Sequence, residues 1–304
     1  MKNALRIFIA LITVMFSSTN IFAAEHGSLF HPDKSSDEIL ISLINSQAKK
    51  FTVETFSDDV TGLTIKYNLY LPEKDSSKKL PVVFFIADAS AAGKSPEFSL
   101  TQGYGALVWG EYDCAVIVPT YPKMILDDHD GFVVSDYVEL TARFINYALK
   151  NYNLDEKRVY ATGQSMGCMT FLILASKYPE LFTACLFVSG QWDINELKGL
   201  NGQKFIYAAS NGDDKASKGQ REVIEMFNNF EIPYVSYQNI DAKNDNIKIS
   251  VNQPVNFVTF KAKTTLPEGT EKTEKKYSEH MISFDYVYKN SEFRKWLLAQ
   301  RKGD

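Results

Sequence analysis

Residues 158–177 read RVYATGQSMGCMTFLILASK, the most informative segment of the sequence for the fold. Its first part, Arg158–Thr162, is typical of a short strand, and its second part, Met166–Lys177, is typical of a helix. Between them lies Gly163-Gln164-Ser165-Met166-Gly167, which has the pattern G-x-S-x-G. A turn that passes directly from a strand into a helix leaves room only for small side chains near the serine, which the glycines supply. We therefore predict that the Ser165 hydroxyl stands clear of a sheet, at the N-terminus of a helix.

The chain on either side alternates strand-like and helix-like segments. The run PVVFFIA, residues 81–87, is continuously apolar, as a strand covered on both faces would be. Further strands are predicted at Phe51–Phe56, Leu63–Leu71, Leu80–Ala87, Ala115–Pro119, Ala184–Ser189 and Lys204–Ala209, and helices at Ser36–Ser46, Ser135–Asn151, Gly219–Phe230 and Ser291–Arg301. This alternation predicts an α/β fold, with a mainly parallel twisted sheet and helices on both faces, in a single domain.

The predicted domain covers residues 51–304 and follows a lead-in at residues 24–50. One region inside it breaks the alternation. Residues 235–279 are rich in Asn, Lys, Thr and Glu, with the strand-like VNFVTFKAK in the middle. A region of about 45 residues is too short for an ordinary domain. We interpret it as an excursion from the sheet, a hairpin or a long loop.

The first residues have the three-part plan of a secretory signal peptide. Lys2 and Arg6 precede the apolar run IFIALITVMF, and the polar residues 17–20 lead to Ile21-Phe22-Ala23-Ala24. Ten apolar residues span roughly 15 Å as a helix, about half of a bilayer core, so a membrane anchor is the weaker interpretation. We expect residues 1–23 to be removed, with cleavage after Ala23 or Ala24, and the protein to be exported to the periplasm or beyond the cell.

Composition narrows the class of protein further. The chain has 304 residues, 45% of them apolar, and a formal net charge of −4. That charge argues against a nucleic-acid partner, which needs a basic face, and no segment after the signal is apolar and long enough to predict a membrane span. The three cysteines, Cys114, Cys168 and Cys185, lie in apolar settings and allow at most one disulfide bond, so the chain is not a disulfide scaffold.

A serine hydroxyl is a weak nucleophile until a base removes its proton. In this architecture the order along the chain is serine, then an acid, then a histidine. Of the four histidines, His26, His31 and His129 precede Ser165, and only His280 follows it. His280 is therefore the predicted base, in a loop that leads into the final helix.

The acid is expected after a later strand of the sheet. Lys204–Ala209 is followed by Ser210-Asn211-Gly212-Asp213-Asp214, where two aspartates are adjacent and cannot both face the imidazole. We favour Asp213, with Asp214 and, after the preceding strand, Asp193 as alternatives. Such a carboxylate orients the imidazole and stabilises its charged form.

The negative charge that develops on a substrate oxygen needs two converging N–H donors. Met166 is the first predicted donor, and Asp88 or Ala89, in the loop after Leu80–Ala87, is the second. A His-Gly-Gly-rich sequence is missing from that loop, but backbone donors need no particular side chain. Gln164 and Trp192 are the predicted substrate-binding residues, with Trp192 as a pocket wall for an acyl or aryl group.

Residues 126–131, LDDHDG, also invite interpretation as a metal loop. With Gly131 at the sixth position of a calcium loop, the first and twelfth positions would be Leu126 and Tyr137, neither of which offers a carboxylate. We predict a polar loop that borders the site, and no metal. No cofactor is predicted either.

The quoted motifs VYATGQSMGCMTFL, SNGDDKA and HMISFDYVYKNSEFRKWL resemble the α/β-hydrolase fold. Within it they are similar to the branch of secreted esterases that includes feruloyl esterases and polyhydroxybutyrate depolymerases. The resemblance covers roughly Phe51 to Gln300. It implies hydrolysis of a carboxylic ester through an acyl-enzyme, and it supports Asp213, because the family places its acid three residues after a small residue that ends the strand, here Ser210.

Two other functions remain open from the sequence. A serine peptidase of the same fold would need a site for an extended chain, and no domain-sized insertion is present to provide one. A non-catalytic exported binding module is the second alternative, but such a protein would be expected to have lost Ser165, Asp213 or His280. The expected partner is a small-molecule, oligosaccharide or polymeric ester.

Overall fold

A nine-stranded sheet lies at the centre of the structure, a computed structural model that describes residues 33–72, 78–129, 131–243, 247–268 and 278–303. Its strands are β1 (Thr52–Ser57), β2 (Thr64–Tyr70), β3 (Leu80–Ile86), β4 (Ala115–Thr120), β7 (Leu154–Gln164), β8 (Ala184–Val188), β9 (Phe205–Ser210), β10 (Val235–Ile240) and β11 (Val255–Phe260). A separate two-stranded hairpin contains β5 (Leu126–Asp127) and β6 (Val133–Val134).

The strand order is β1-β2-β4-β3-β7-β8-β9-β11-β10. Strand β2 runs antiparallel to β1 and β4, and every other adjacent pair is parallel. The predicted mainly parallel sheet is therefore confirmed. In the register, Gly163 pairs with Ile86 on one side and with Phe187 on the other. The residues that follow β3, β7 and β8 thus meet at one edge of the sheet, where open α/β sheets bind their ligands.

Helices cover both faces of the sheet. They are α1 (Glu38–Gln47), α2 (Pro96–Thr101), α3 (Tyr104–Leu107), α4 (Asp136–Asn151), α5 (Met166–Lys177), α6 (Asp214–Asn229), α7 (Glu279–Lys289) and α8 (Ser291–Ala299). Successive residues of β3 enter different cores, as the period of a strand requires. Phe84 packs in the core that includes α4 and α5, whereas Phe85 packs in the core that includes α7 and α8.

The interpretation of residues 235–279 as a hairpin excursion is wrong for its two strands. Strand β11 pairs in parallel with β9, and β10 pairs in parallel with β11, so both extend the main sheet. The sequence pattern did not predict the pairing of β10 because β10 is an edge strand. Its residues are only partly buried, and its polar composition therefore lacks the apolar run of an interior strand.

Two further elements differ from the prediction. His280 lies in helix α7 and not in a loop, because the helix begins at Glu279 and runs to Lys289. Helix α6 begins at Asp214, five residues before the predicted start, with Asp213 as its N-cap. The predicted signal peptide, residues 1–23, lies outside the described residues, as do residues 24–32 of the lead-in. The described part of the lead-in contains α1.

None of the helices among the described residues combines the length and the apolar character needed to cross a bilayer. Cys114, Cys168 and Cys185 are all buried as free thiols. Burial raises the pKa of all three, to about 12 for Cys114, so they carry no thiolate at neutral pH.

Candidate active site

Ser165 lies on the turn between β7 and α5, in a backbone conformation that is rare for a residue with a side chain. Its φ is 50° and its ψ is −116°. Positive φ values in this range are strained for residues other than glycine, and they concentrate at functional sites. The Ser165 N–H donates to Val188 O at 3.0 Å, which ties the turn to β8.

The flanking glycines are required by close backbone contacts. A Cβ added at Gly163 would lie 2.5 Å from the carbonyl carbon of Gly167, and one at Gly167 would lie 2.0 Å from Ile86 O. No side chain fits at either distance. The glycines therefore let the start of α5 approach β3 and β7 closely enough to form the sharp turn at Ser165.

His280 bridges Ser165 and Asp213. Its Nε2 lies 2.8 Å from Ser165 Oγ, and its Nδ1 lies 2.6 Å from Asp213 Oδ2. The imidazole comes from the first turn of α7, and its ring edge packs against Phe284 at 5.1 Å between centroids. The helix and this aromatic contact fix the ring orientation, so its two nitrogens face different partners.

Asp213 is the aspartate that the structure brings to His280. It is 7% exposed, and its second oxygen, Oδ1, accepts from Ala216 N at 3.3 Å as the N-cap of α6. Asp214 is exposed in the first turn of the same helix. Asp193 instead caps the short turn at Ile194–Glu196. The structure therefore places neither of the two alternative acids at the imidazole.

Carboxylates control the protonation of His280. Burial acts to lower its pKa, but the hydrogen bond to Asp213 and the negative charges of Asp213, Asp88 and Asp128 outweigh burial, and the pKa of His280 is raised. A base with a raised pKa holds the proton of a serine more strongly, and the nearby carboxylate stabilises the imidazolium that results.

The predicted N–H donors lie on two sides of the turn. Met166 begins α5, where the first amides of a helix have no acceptor within the helix. Ala89 begins a short 3₁₀ turn, Ala89–Ala91, whose N-cap is Asp88. A cavity of about 10 Å³ is lined by both segments, at Asp88 and Met166 among others. The structure thus brings the two candidate donor segments together.

The side chain of Gln164 lies inside the protein, next to Asp88. It is 3% exposed, and its Nε2 donates to Asp88 Oδ2 at 2.7 Å. The other oxygen of Asp88 accepts from Ser90 N at 2.9 Å. The structure thus gives the side chain of Gln164 a partner in Asp88, and substrate binding by Gln164 stays a prediction. Its side chain links β7 to the loop after β3, because Gln164 points back towards that loop while the turn directs Ser165 outwards.

Trp192 is also hidden. Its side chain is 2% exposed, its Nε1 donates to Glu196 Oε2 at 2.8 Å, and the ring of Phe132 lies 5.1 Å away in an edge-to-face arrangement. Phe132 is 38% exposed. The hairpin that contains Phe132 thus covers Trp192, which was predicted to form a pocket wall. Of these two aromatic rings, the exposed one is that of Phe132.

The β5–β6 hairpin is anchored beside the site. The carboxylate of Asp128 accepts from Gln191 Nε2 and lies 3.1 Å from Lys215 Nζ. Asp127, Asp128 and His129 bring potential metal-ligand atoms within 4.8 Å of one another. Because Asp128 already binds Lys215 and Gln191, the structure gives this cluster the role of joining the hairpin to the loop after β8 and to α6.

Sequence analysis missed three residues that contribute to the site. Phe132 covers Trp192, Asp128 acts on His280 electrostatically, and Glu279 holds a buried carboxylate directly before His280. The sequence offered a signal for Asp128, since LDDHDG was placed at the border of the site. It offered none for Glu279, which looks like any acidic residue at a helix start.

Comparison with known proteins finds esterases among the similar sequences. A sequence profile of an esterase family, described as "Putative esterase", matches residues 135–254. Acetylxylan esterase A of Aspergillus ficuum is 28% identical over 189 residues, which cover 57% of this chain and 57% of that protein. The chain therefore spans little more than half of the length of this relative.

Two solved structures share the fold. A thermostable esterase matches with a TM-score of 0.67 and 22% identity, over 84% of this chain and 64% of that chain. The feruloyl esterase module of Clostridium thermocellum, in complex with sinapinate, matches with a TM-score of 0.53 and 13% identity, over 85% of this chain and 92% of that chain. The fold is that of the α/β-hydrolases, and the predicted resemblance to feruloyl esterases and their relatives is confirmed.

Proposed function

We propose that this protein hydrolyses carboxylic esters, with Ser165 as nucleophile, His280 as general base and acid, and Asp213 as the residue that orients His280. One observation carries the proposal. The imidazole of His280 is hydrogen-bonded on one side to the serine of a strained strand-to-helix turn and on the other to a buried carboxylate. This arrangement supports nucleophilic catalysis, since the nucleophile has a base and the base has an orienting group.

In the first step, Ser165 Oγ attacks the ester carbonyl while its proton passes to His280 Nε2. The tetrahedral intermediate collapses, the C–O bond to the alcohol breaks, and the same proton goes to the departing alcohol. In the second step a water molecule gives a proton to Nε2 and attacks the acyl-enzyme, and return of that proton to Ser165 releases the acid. Each proton gained by His280 is thus returned within the same step.

The oxyanion is proposed to bind to the N–H of Met166 and to that of Asp88 or Ala89. The donors are fixed before the substrate arrives, so they cost no reorganisation when charge develops. The position of Met166 at the start of α5 adds the positive end of the helix dipole. The proposed reaction uses neither a metal nor an organic cofactor.

The proposed substrates are acetyl, feruloyl or short-chain acyl esters of plant polysaccharide fragments. The names of two similar proteins, an acetylxylan esterase and a feruloyl esterase module, support this choice. The exposed ring of Phe132 on the hairpin beside the site is a candidate contact for a ring of the substrate. We also propose export through the signal peptide at residues 1–23.

The decisive variant is Ser165→Ala. Loss of the nucleophile is expected to lower kcat for p-nitrophenyl acetate by several orders of magnitude, on the order of 10⁵-fold. Ser176→Ala is the matched control, because Ser176 is also a buried serine but lies in the last turn of α5, where its Oγ contacts Glu196 O and Gly199 N. Wild-type hydrolysis by Ser165→Ala would refute the assignment of the nucleophile.

A substrate panel separates the proposal from its alternatives. p-Nitrophenyl acyl esters, methyl ferulate, acetylated xylan and aminoacyl-anilides are compared at equal enzyme concentration by kcat/KM. Cleavage of esters is expected. Cleavage of anilides but not of esters would favour a peptidase, and inactivity on the whole panel together with ligand binding would favour a binding module.

A further inference from the structure

We propose that the buried carboxylate of Glu279 is a positioning residue, which holds His280 in register with Asp213 by hydrogen bonds to two other segments of the chain. The proposal rests on the triad assigned above. Glu279 contacts none of the reacting atoms and acts through its neighbours.

Both oxygens of the Glu279 carboxylate accept hydrogen bonds. Its Oε1 accepts from Lys263 N at 2.8 Å, and its Oε2 accepts from Ser210 Oγ at 2.9 Å and from Thr265 Oγ1 at 2.8 Å. Glu279 is 8% exposed and Thr265 is 0% exposed. An acidic side chain in the first turn of a helix usually lies in solvent. Here it points inward and joins α7 to the end of β9 and to the segment after β11.

The same contacts lead to Asp213. Ser210 ends β9, its carbonyl oxygen accepts from Asp213 N at 2.9 Å, and its Oγ accepts from Gly212 N at 3.2 Å. A Cβ added at Gly212 would lie 1.8 Å from Glu279 Oε1, so the loop leading to Asp213 packs directly on this carboxylate. Glu279 precedes His280, and its partner Ser210 holds the backbone of Asp213.

This connection explains how two distant parts of the chain keep a short contact. His280 and Asp213 are 67 residues apart, yet their side chains lie 2.6 Å from each other. Catalytic groups must keep such geometry closely, and a displacement of about 1 Å can cost roughly 100-fold in rate. The carboxylate of Glu279 fixes the start of α7 against the loop that carries Asp213, and therefore fixes the distance between the two side chains.

The test compares Glu279→Ala with Glu279→Gln. The amide of glutamine can accept from Lys263 N and donate to the hydroxyls of Ser210 and Thr265, which can reverse their roles. We expect Glu279→Ala to lower kcat for p-nitrophenyl acetate by roughly 100-fold with KM changed by less than about threefold, and Glu279→Gln to recover most of that loss.

A pH profile separates positioning from a loss of stability. The hydrogen bond to Asp213 raises the pKa of His280, as do the charges of Asp213, Asp88 and Asp128. If Glu279→Ala loosens the hydrogen bond between His280 and Asp213, the pKa of His280 falls and the acidic limb of the kcat/KM profile moves to lower pH. The comparison is with Glu279→Gln, which also lacks the negative charge of Glu279 but keeps its hydrogen bonds. A smaller fraction of folded protein would instead lower kcat/KM at every pH and leave the pH of the acidic limb unchanged.

Two further variants keep the test decisive if Glu279→Ala does not fold. Thr265→Val removes one hydrogen bond far from the reacting atoms and is expected to lower kcat about three- to tenfold. Glu292→Ala, which removes a half-exposed glutamate paired with Lys295 in α8, is the matched control.

Wild-type kcat in Glu279→Ala would overturn the proposal, and where Glu279→Ala does not fold, wild-type kcat in Thr265→Val would overturn it. So would equal losses in Glu279→Ala and Glu279→Gln, since the charge and not the hydrogen bonds would then matter. Failure of the proposed function itself is seen separately, as wild-type activity of Ser165→Ala.

Discussion

The backbone of Ser165 is strained. Its positive φ costs on the order of 1–3 kcal/mol in a residue that has a side chain. The strain persists because β7 and α5 are fixed by the sheet and by the two glycines, so the backbone, and not a flexible side chain, aims the hydroxyl. The hydroxyl so placed lies 2.8 Å from His280 Nε2.

The two adjacent aspartates are expected to differ sharply. Asp213→Asn should lower kcat by roughly 10⁴-fold, because an amide in place of the carboxylate no longer holds the required tautomer of His280 or stabilises its charged form. Asp214→Asn should stay within about threefold of wild type, since Asp214 is exposed and the contact to Nδ1 belongs to Asp213. Steady-state kinetics on p-nitrophenyl acetate compare them, and a larger loss at Asp214 would contradict the assignment.

Asp128 is expected to set part of the pH dependence. Its negative charge raises the pKa of His280, which must be neutral to act as a base. Asp128→Asn removes that charge, so the pKa of His280 should fall and the acidic limb of kcat/KM should move to lower pH. Asp127→Asn, on the same hairpin, is the matched control. An unchanged or upward-shifted limb in Asp128→Asn would argue against this electrostatic effect.

At the scale of elements, the site depends on how closely α5 approaches β3. Gly167 lies one residue into the helix, against Ile86 O, and a side chain there would separate the two elements. The rest of α5 is almost wholly buried, so the helix cannot shift without disturbing both its own core and the turn at Ser165. The apolar sequence of α5 and the glycine at its start therefore both keep this helix close to β3.

Gly167→Ala is expected to destabilise the protein by about 3 kcal/mol or more, because the added methyl group meets a backbone oxygen that cannot move aside. Gly62→Ala is a useful comparison, since its Cβ would meet no atom within 4 Å and only its φ of 72° opposes the change. That substitution should cost about 1 kcal/mol. Urea unfolding measures both, and equal losses would show that the close contact with Ile86 relaxes.

At the scale of the whole molecule, an ion pair between a buried aspartate and a half-exposed arginine connects the edge of the sheet to the helical layer. Asp58, just after β1, is 3% exposed and binds the guanidinium of Arg143 in α4 through two contacts of 2.7 Å. The hydrogen bonds of Arg143 lower the pKa of Asp58 well below its usual range, despite burial. Asp58 is therefore charged wherever the protein is folded near neutral pH.

This pair is expected to make stability depend on pH. A carboxylate whose pKa is lower in the folded state stabilises the fold above its unfolded pKa, about 3.9, and loses that contribution as the pH falls towards the folded pKa. Arg143→Met should cost about 3 kcal/mol at pH 7, because it leaves a buried charge without its partner. Urea unfolding at pH 7, 5 and 3 should show this difference shrinking at pH 3, and a constant difference would refute the linkage.

Much of this architecture could be predicted from the sequence, because local patterns encode it. The interior strands β3, β4 and β8 are largely apolar runs, the strand-turn-helix at Ser165 lies within twenty residues of chain, and the position of His280 follows from the order of the histidines along the chain. Edge strand β10 and the helix that carries His280 escaped prediction. Strand β10 has only half-buried and exposed residues and so lacks an apolar run, whereas α7 is largely buried but includes the polar residues Glu279 and Ser283 among its buried ones.

By itself, then, the sequence determined the α/β fold, the turn at Ser165 and the candidate set of Asp213 and His280. Tertiary packing is what places Asp213, and not Asp214, at the imidazole, covers Gln164 and Trp192, and joins Glu279 to the segments that carry Ser210 and Thr265. The reason is physical. Strands and turns follow from interactions between neighbours along the chain, whereas the contacts of His280 join residues 67 and 115 positions apart, which only packing can bring together.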